Sequence, residues 1–229
     1  MFDVFFIDVN EPNADKNFAL LKQKAPYAHR ISRVQGIHRA HKKAAEICLT
    51  KMLYVVDADA VIEQEFNFDH APDEYDLQTV HVWHSRNPIN DLEYGYGGVK
   101  LFPTQLTRQM NTDSVDMSTS ISDQFKVMPA VSNITEFNIN NFHSWKSGFR
   151  ECAKLASKVI DRQQDAETEK RLDTWCTVGA DKPYGAYAIA GAKAGRQFGE
   201  LNKNTDQMKL INDYSWLKKK YNEDFSKNN

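Results

Sequence analysis

The sequence predicts an α/β domain in which a Rossmann-like mixed sheet is flanked by helices. Three observations predict it. Short apolar runs alternate with helix-period segments through residues 1–60, a strand-rich stretch follows in the middle, and the last third has helical spacing.

Residues 2–9 form an apolar run rich in Phe and Val, read as a buried first strand. Asn10-Glu11-Pro12-Asn13 breaks it, and a short helix is expected around Asp15–Lys24, ending before Pro26. His29–Val34 reads as the second strand. Gly36 then opens a helix in which Ile37, Ala40, Ala44, Ile47 and Cys48 share a face, with His38, Arg39, His41, Lys42 and Lys43 on the other surface. Met52–Val56 is the third strand and stops at Asp57-Ala58-Asp59. Strand, helix, strand in succession predicts parallel pairing through right-handed crossovers, which place ligands at the carboxyl ends of the strands.

Thr79–Trp83 alternates, and Val99–Phe102 follows a glycine-rich bend. Phe125–Phe137 reads as one or two strands interrupted by Pro129. Phe149, Cys152, Ala153, Ala156, Val159 and Ile160 mark one helix, and Arg150-Glu151 is read as opening it. Tyr184–Ala194 is a small-residue segment suited to close packing. Ile211, Tyr214, Leu217 and Tyr221 mark a terminal helix, and residues 222–229 form a polar tail.

A chain of 229 residues buries a sizeable core without disulfides. Its 41% hydrophobic and 26% charged residues exclude disorder. No apolar run approaches a membrane span, and an N-terminus carrying Asp3 and Asp8 with no basic leader reads as a strand rather than a signal peptide. Cys48, Cys152 and Cys176 share no CxxC spacing and read as reduced packing residues, so a cytoplasmic location is expected. A net charge of −2 gives the whole molecule no attraction for nucleic acid, so any such contact needs a local patch.

Asp57 and Asp59 are the central candidates. Two carboxylates one residue apart at the end of an apolar strand can share a hard cation, Mn²⁺ or Mg²⁺, together with a diphosphate. The competing reading is a solvated acidic loop. Arg33, His38, Arg39, Lys42 and Lys43 around the start of the second helix can meet a diphosphate or simply form a solvated face. Trp83–Pro88 and Glu93–Phe102 form a block whose glycines permit close backbone approach and whose tyrosines suit a sugar or base, although it also reads as a hairpin turn. Asp123, His143 and Glu151 are late candidates for a base or a third metal ligand, and spacing does not choose among them.

The Val-Asp-Ala-Asp run at 56–59, the Arg-Asn-Pro-Ile-Asn…Glu-Tyr-Gly-Tyr-Gly-Gly-Val-Lys-Leu-Phe-Pro block at 86–103 and Trp-Lys-Ser-Gly-Phe-Arg-Glu-Cys at 145–152 resemble bacteriophage GT-A glycosyltransferases. Those enzymes modify hydroxymethylated pyrimidines in DNA and are akin to glycosyltransferases associated with TET/JBP base hydroxylases. The similarity runs from the first strand to about residue 195; the central block is specific and the Asp-x-Asp is generic. It implies one GT-A domain over residues 1–221, with a nucleotide-sugar half (1–103) and an acceptor half (104–221).

The resemblance further implies a UDP-sugar donor, Mn²⁺ or Mg²⁺, and an acceptor hydroxyl, the 5-hydroxymethyl group of cytosine in double-stranded phage DNA, with glucose or arabinose transferred in a bacterial host cytoplasm. By the same resemblance Asp57 and Asp59 hold metal and nucleotide, with His143 as a further metal ligand. Asp8 and Val9 border the nucleotide, and Tyr96, Gly97 and Gly98 lie beside the donor sugar; Val34 and, from the basic face of the second helix, Lys42 are counted with the nucleotide residues. Asp123 or Glu151 is the acceptor-side acid. A protein, lipid or glycan acceptor, or nucleotidyl transfer, stays open as the alternative. The sequence leaves the oligomeric state open.

Overall fold

The computed structural model describes residues 1–9, 11–95, 98–159 and 165–226. Of the residues singled out above, Asn10, Tyr96, Gly97 and Ile160 lie outside the described residues, as do tail residues 227–229. The chain divides into two compact units, residues 1–87 with 93–136, and residues 88–92 with 137–229.

The first unit is a mixed sheet flanked by helices. Its strands are β1 (Asp3–Asp8), β2 (His29–Ser32), β3 (Met52–Asp57), β4 (Ala60–Ile62), β5 (Val80–Arg86), β6 (Glu93–Tyr94), β7 (Val99–Pro103) and β8 (Phe125–Thr135). Among the described residues the order is β2-β1-β3-β7-β5-β8-β4, with β6 beside β5. As expected, β2, β1 and β3 pair in parallel. Strand β7 is antiparallel to both β3 and β5, while β8 is parallel to β5. Strands β1, β2, β3, β5 and β8 therefore all point their carboxyl ends to one edge of the sheet.

Strand alternation divides the core between the two faces. Val4 and Phe6 of β1 join Tyr54 and Val56 of β3 in one cluster, whereas Phe5 and Ile7 join Leu53 and Val55 in the other. A strand buried on both faces must read as a continuous apolar run, which is what β1 and β3 are. Helix α1 (Ala14–Lys24) contributes Ala14 and Leu21 to the first cluster. Helix α2 (Ile37–Ile47) contributes Ala40, Ala44 and Ala45 to the second, and α3 (Thr104–Gln109) follows β7.

Two sequence expectations need correction here, and one open alternative is decided. His38 and His41 are not on the exposed surface of α2: they are 8% and 0% exposed, while Ile47, expected inside, is 46% exposed. The buried stripe of α2 is therefore His38, Ala40, His41, Ala44 and Ala45, rotated away from Ile47. Of the two readings of the Phe125–Phe137 stretch, the single strand holds, with Pro129 absorbed where the β5–β8 register shifts between Trp83 and His84. Glu151 does not open a helix. It lies well inside α4 (Asn141–Ser157), whose first turn is capped by Asn140, its side-chain oxygen accepting the His143 N–H at 2.9 Å.

The second unit is helical: α4, α5 (Asp165–Thr177), α6 (Gly185–Leu201) and α7 (Tyr214–Ser226). The small-residue segment is α6, and its glycines let the α4 backbone approach. A Cβ at Gly191, Gly195 or Gly199 would stand 2.0, 2.1 or 2.4 Å from the carbonyl oxygens of Trp145, Phe149 and Ala153 respectively. Trp145, Phe149, Cys152 and Trp175 fill the buried interior of this unit.

Candidate functional site

The carboxyl edge of the sheet in the first unit gathers several candidates. Register places Asp8 opposite Ser32 and Ile7 opposite Asp57, so the ends of β1, β2 and β3 form one rim. Strand β7 enters from that rim, with Val99 opposite Val56 and Gly98 just before it.

Asp57 is held from three sides. Its N–H donates to the Gly98 carbonyl at 2.9 Å, and its Oδ2 accepts the Gly98 N–H at 3.2 Å. The same oxygen lies 3.4 Å from the Lys100 ammonium. Lys100 sits opposite Val55 in the β3–β7 ladder, on the face that also bears Asp57, so the antiparallel pairing brings the two charges together. Gly98 has φ +76, and a Cβ there would stand 1.9 Å from Asn133 Oδ1. Only glycine serves at that point, for both reasons. Asn133 is in turn fixed by the Ser85 and Ser132 hydroxyls, which donate to its Oδ1 at 2.9 and 2.8 Å.

His41 of α2 lies beneath this pair. Its Nδ1 bonds the Ile37 carbonyl at 2.8 Å and its ring meets Phe102 edge-on, centroids 5.6 Å apart. Nδ1 therefore carries the proton, and Nε2, buried and without a hydrogen-bond partner, presents a lone pair. Burial pushes the imidazole down to about 4, against the pull of the nearby Asp57 carboxylate.

Asp59 is half-buried, one residue before β4, and its carbonyl accepts the Glu136 N–H at 2.6 Å. Ala58, between the two acids, is pinned by Asn17, whose Nδ2 donates to its carbonyl at 2.9 Å. The acidic turn is thus held by α1 on one side and by the residue after β8 on the other. Among the described residues no group of three or more His, Cys, Asp or Glu side chains is arranged to hold a metal.

The other expected nucleotide residues are distributed as follows. Asp8 is 3% exposed and accepts from Arg30 Nε and Ser32 Oγ, each at 2.6 Å. Val9 is exposed, with its N–H on Glu11 Oε2 at 2.7 Å, and Val34 packs against the second core cluster. Lys42 reaches the Met110 carbonyl at 3.5 Å. Arg33, Arg39 and Lys43 are exposed, Lys43 lying 3.4 Å from Glu46. His38 faces Ser114 at 3.0 Å, and burial lowers its affinity for a proton.

The structure does not bring Asp123 to this edge. It is exposed and precedes β8, which runs parallel to β5, so it emerges at the amino end of the sheet, opposite Asp57 and Asp59. Glu151 and His143 belong to the second unit. Glu151 is 8% exposed, with the Lys154 ammonium 3.5 Å from its Oε2. His143 shares its Nδ1 proton with Asn140 Oδ1 at 3.0 Å. Burial first, and then Lys146 and Lys218, hold its imidazole near a pKa of about 4.

Sequence reasoning gave no role to Lys100, His41 or Asn133. The local signal for Lys100 was its place one residue into the strand after the glycine bend, where an antiparallel partner would face it toward Asp57. No known family model matches the chain, and no curated protein matches it.

Proposed function

We propose that the chain is a metal-assisted glycosyltransferase of the GT-A type that takes a nucleoside-diphosphate sugar, UDP-linked by the resemblance above. The acceptor we propose is the hydroxymethyl group of a modified cytosine in DNA. The observation that carries the reading is the pair Asp57 and Asp59 at the carboxyl end of β3, in a parallel β2-β1-β3 unit, with the Lys100 ammonium against Asp57.

The donor set suits a hard divalent cation. Mg²⁺ and Mn²⁺ need only one or two carboxylates when water and phosphate oxygens complete the shell, so the acids Asp57 and Asp59 suffice for them. Asp59 is the direct ligand in this reading, as the resemblance implies. Asp57 is oriented by the Gly98 N–H and by Lys100, which adds positive charge where a diphosphate would lie. When bound, the cation supplies electrostatic stabilisation of the departing diphosphate. Glu151 is the remaining acid the resemblance offers for taking the acceptor proton in an inverting transfer. Asp123 no longer suits that role, and His143, with Nδ1 engaged, offers only Nε2 to any ligand.

The test is a donor screen by thermal shift with Mn²⁺ present and absent, followed by nucleoside mass spectrometry of hydroxymethylated DNA incubated with the stabilising donor. A Mn²⁺-dependent rise in Tm with UDP-sugars and a hexose or pentose mass added to the nucleoside are expected. Release of pyrophosphate instead of UDP would replace the reading with nucleotidyl transfer. A Tm unmoved by any donor would remove it.

A further inference from the structure

On the first core face, away from the acidic rim, two histidines meet in a way that packing alone does not explain. His81 of β5 is 0% exposed; the Thr79 backbone acts on its ring, and neither nitrogen is paired with another side chain. His70, on the segment between β4 and β5, is half-buried, and its Nε2 is likewise buried without a partner. The rings lie 5.0 Å apart between centroids with their planes at 57°. Buried imidazole nitrogens left without a full partner, one on each ring, carry a free-energy cost that a shared bound group would relieve.

We propose that His70 and His81 form a binding site for a borderline divalent transition-metal ion, of the class of Zn²⁺, Ni²⁺ or Cu²⁺, completed by solvent. Imidazole nitrogen binds these ions at about 2.0–2.1 Å, which puts each ring centroid about 3.2 Å from the metal. Two rings 5.0 Å apart then subtend an angle of about 100° at a shared ion, between octahedral and tetrahedral values.

The surroundings hold the pair in position. The Tyr54 hydroxyl donates to the His70 carbonyl at 3.2 Å, and Trp83 stands edge-on to the His70 ring at 5.7 Å. The Asp76 carboxylate acts on both histidines and offsets Lys126, its salt-bridge partner at 2.5 Å. Burial keeps both imidazoles neutral, the form that ligates; the Thr79 backbone adds only a weak opposing pull on His81. Oxygen-seeking Mg²⁺ and Mn²⁺ are not expected here, so this site is chemically distinct from the acidic rim.

The experiment is a Zn²⁺ competition titration of the full chain, freed of metal by chelation, against a chromophoric indicator, together with Cu²⁺ electron paramagnetic resonance. One equivalent should bind, Cu²⁺ should show hyperfine coupling to two nitrogens, and His70→Ala should weaken Zn²⁺ at least tenfold. Asp59→Asn should leave the affinity within twofold, whatever it does to donor binding. No bound equivalent, or equal affinity in the folded His70→Ala variant, overturns the proposal. Should that variant fail to fold, imidazole ¹⁵N spectra of the unaltered chain decide. Zn²⁺ must shift His70 and His81 first among the seven histidines. First shifts at any other histidine overturn it.

Discussion

The Lys100 ammonium stands 3.4 Å from Oδ2 of Asp57, with the Lys100 side chain only 12% exposed. A pair this sheltered gives Asp57 a fixed geometry and keeps an ammonium, its charge offset by that carboxylate, at the sheet's carboxyl edge. Removing the lysine should therefore cost ligand affinity before it costs stability. For Lys100→Met the affinity for UDP should fall by about 10- to 100-fold, the equivalent of one charge-assisted hydrogen bond. Isothermal titration would show it, and unchanged UDP affinity would leave the ammonium a structural partner of Asp57 alone.

The His41 imidazole should make the chain sensitive to mild acid. Its ordinary pKa near 6.5 is lowered to about 4 in the fold, chiefly by burial, so the folded state prefers the neutral ring. The associated stability is fully present above pH 6.5 and is lost as pH falls toward 4, about 3 kcal/mol at most. His81 and His143, also brought down to about 4, act in the same window. In His41→Phe, which keeps the edge contact with Phe102, the slope of unfolding free energy against pH should decrease between pH 6.5 and 4. Denaturant titrations at several pH values measure it; parallel slopes for both proteins would rule His41 out.

How far the sequence discloses this fold depends on whether the information is local. Strands β1 and β3 are legible because burial on both faces forces an unbroken apolar run, as in Val4–Ile7 and Met52–Val56. Helix α5 is not, because Asp165–Thr177 buries only Thr168, Leu172, Trp175 and Cys176 among many charges. His41 was placed on the wrong face because a histidine counts as polar in any periodicity, whereas here its Nδ1 is satisfied by the turn before it. The place of the acidic pair at the end of β3 was legible from the apolar run before it. Lys100 needed the β3–β7 register, and the misplacement of Asp123 followed from the direction of β8; both are set by pairing between distant segments.

Gly195 offers a test of the second unit's packing. An alanine in a helix ordinarily gains about 1 kcal/mol over glycine. At Gly195 its Cβ would stand 2.1 Å from the Phe149 carbonyl oxygen, and that backbone cannot move without displacing α4. The steric cost of overpacking, about 1–3 kcal/mol, should exceed the propensity gain. Gly195→Ala should therefore lower the unfolding free energy in urea. A stabilised variant would show that α4 and α6 are further apart than this glycine row requires.

Three carboxylates can be separated by what each substitution leaves intact. Asp59→Asn removes the proposed direct ligand of the cation, so Mn²⁺-dependent UDP binding and transfer should both disappear while the urea midpoint holds. Glu151→Gln removes the proton acceptor proposed above: UDP affinity should persist and kcat should fall by about 10²- to 10⁴-fold, the usual contribution of a general base. Because Glu151 is 8% exposed and faces Lys154, a stability measurement must accompany that result. Asp123 precedes a strand that runs parallel to β5, and so lies at the sheet end remote from Asp57 and Asp59. Asp123→Asn should accordingly retain transfer within twofold. Loss of turnover in the Asp123 variant, with Glu151→Gln active, would reverse the assignment of the base and place the acceptor at the amino edge of the sheet.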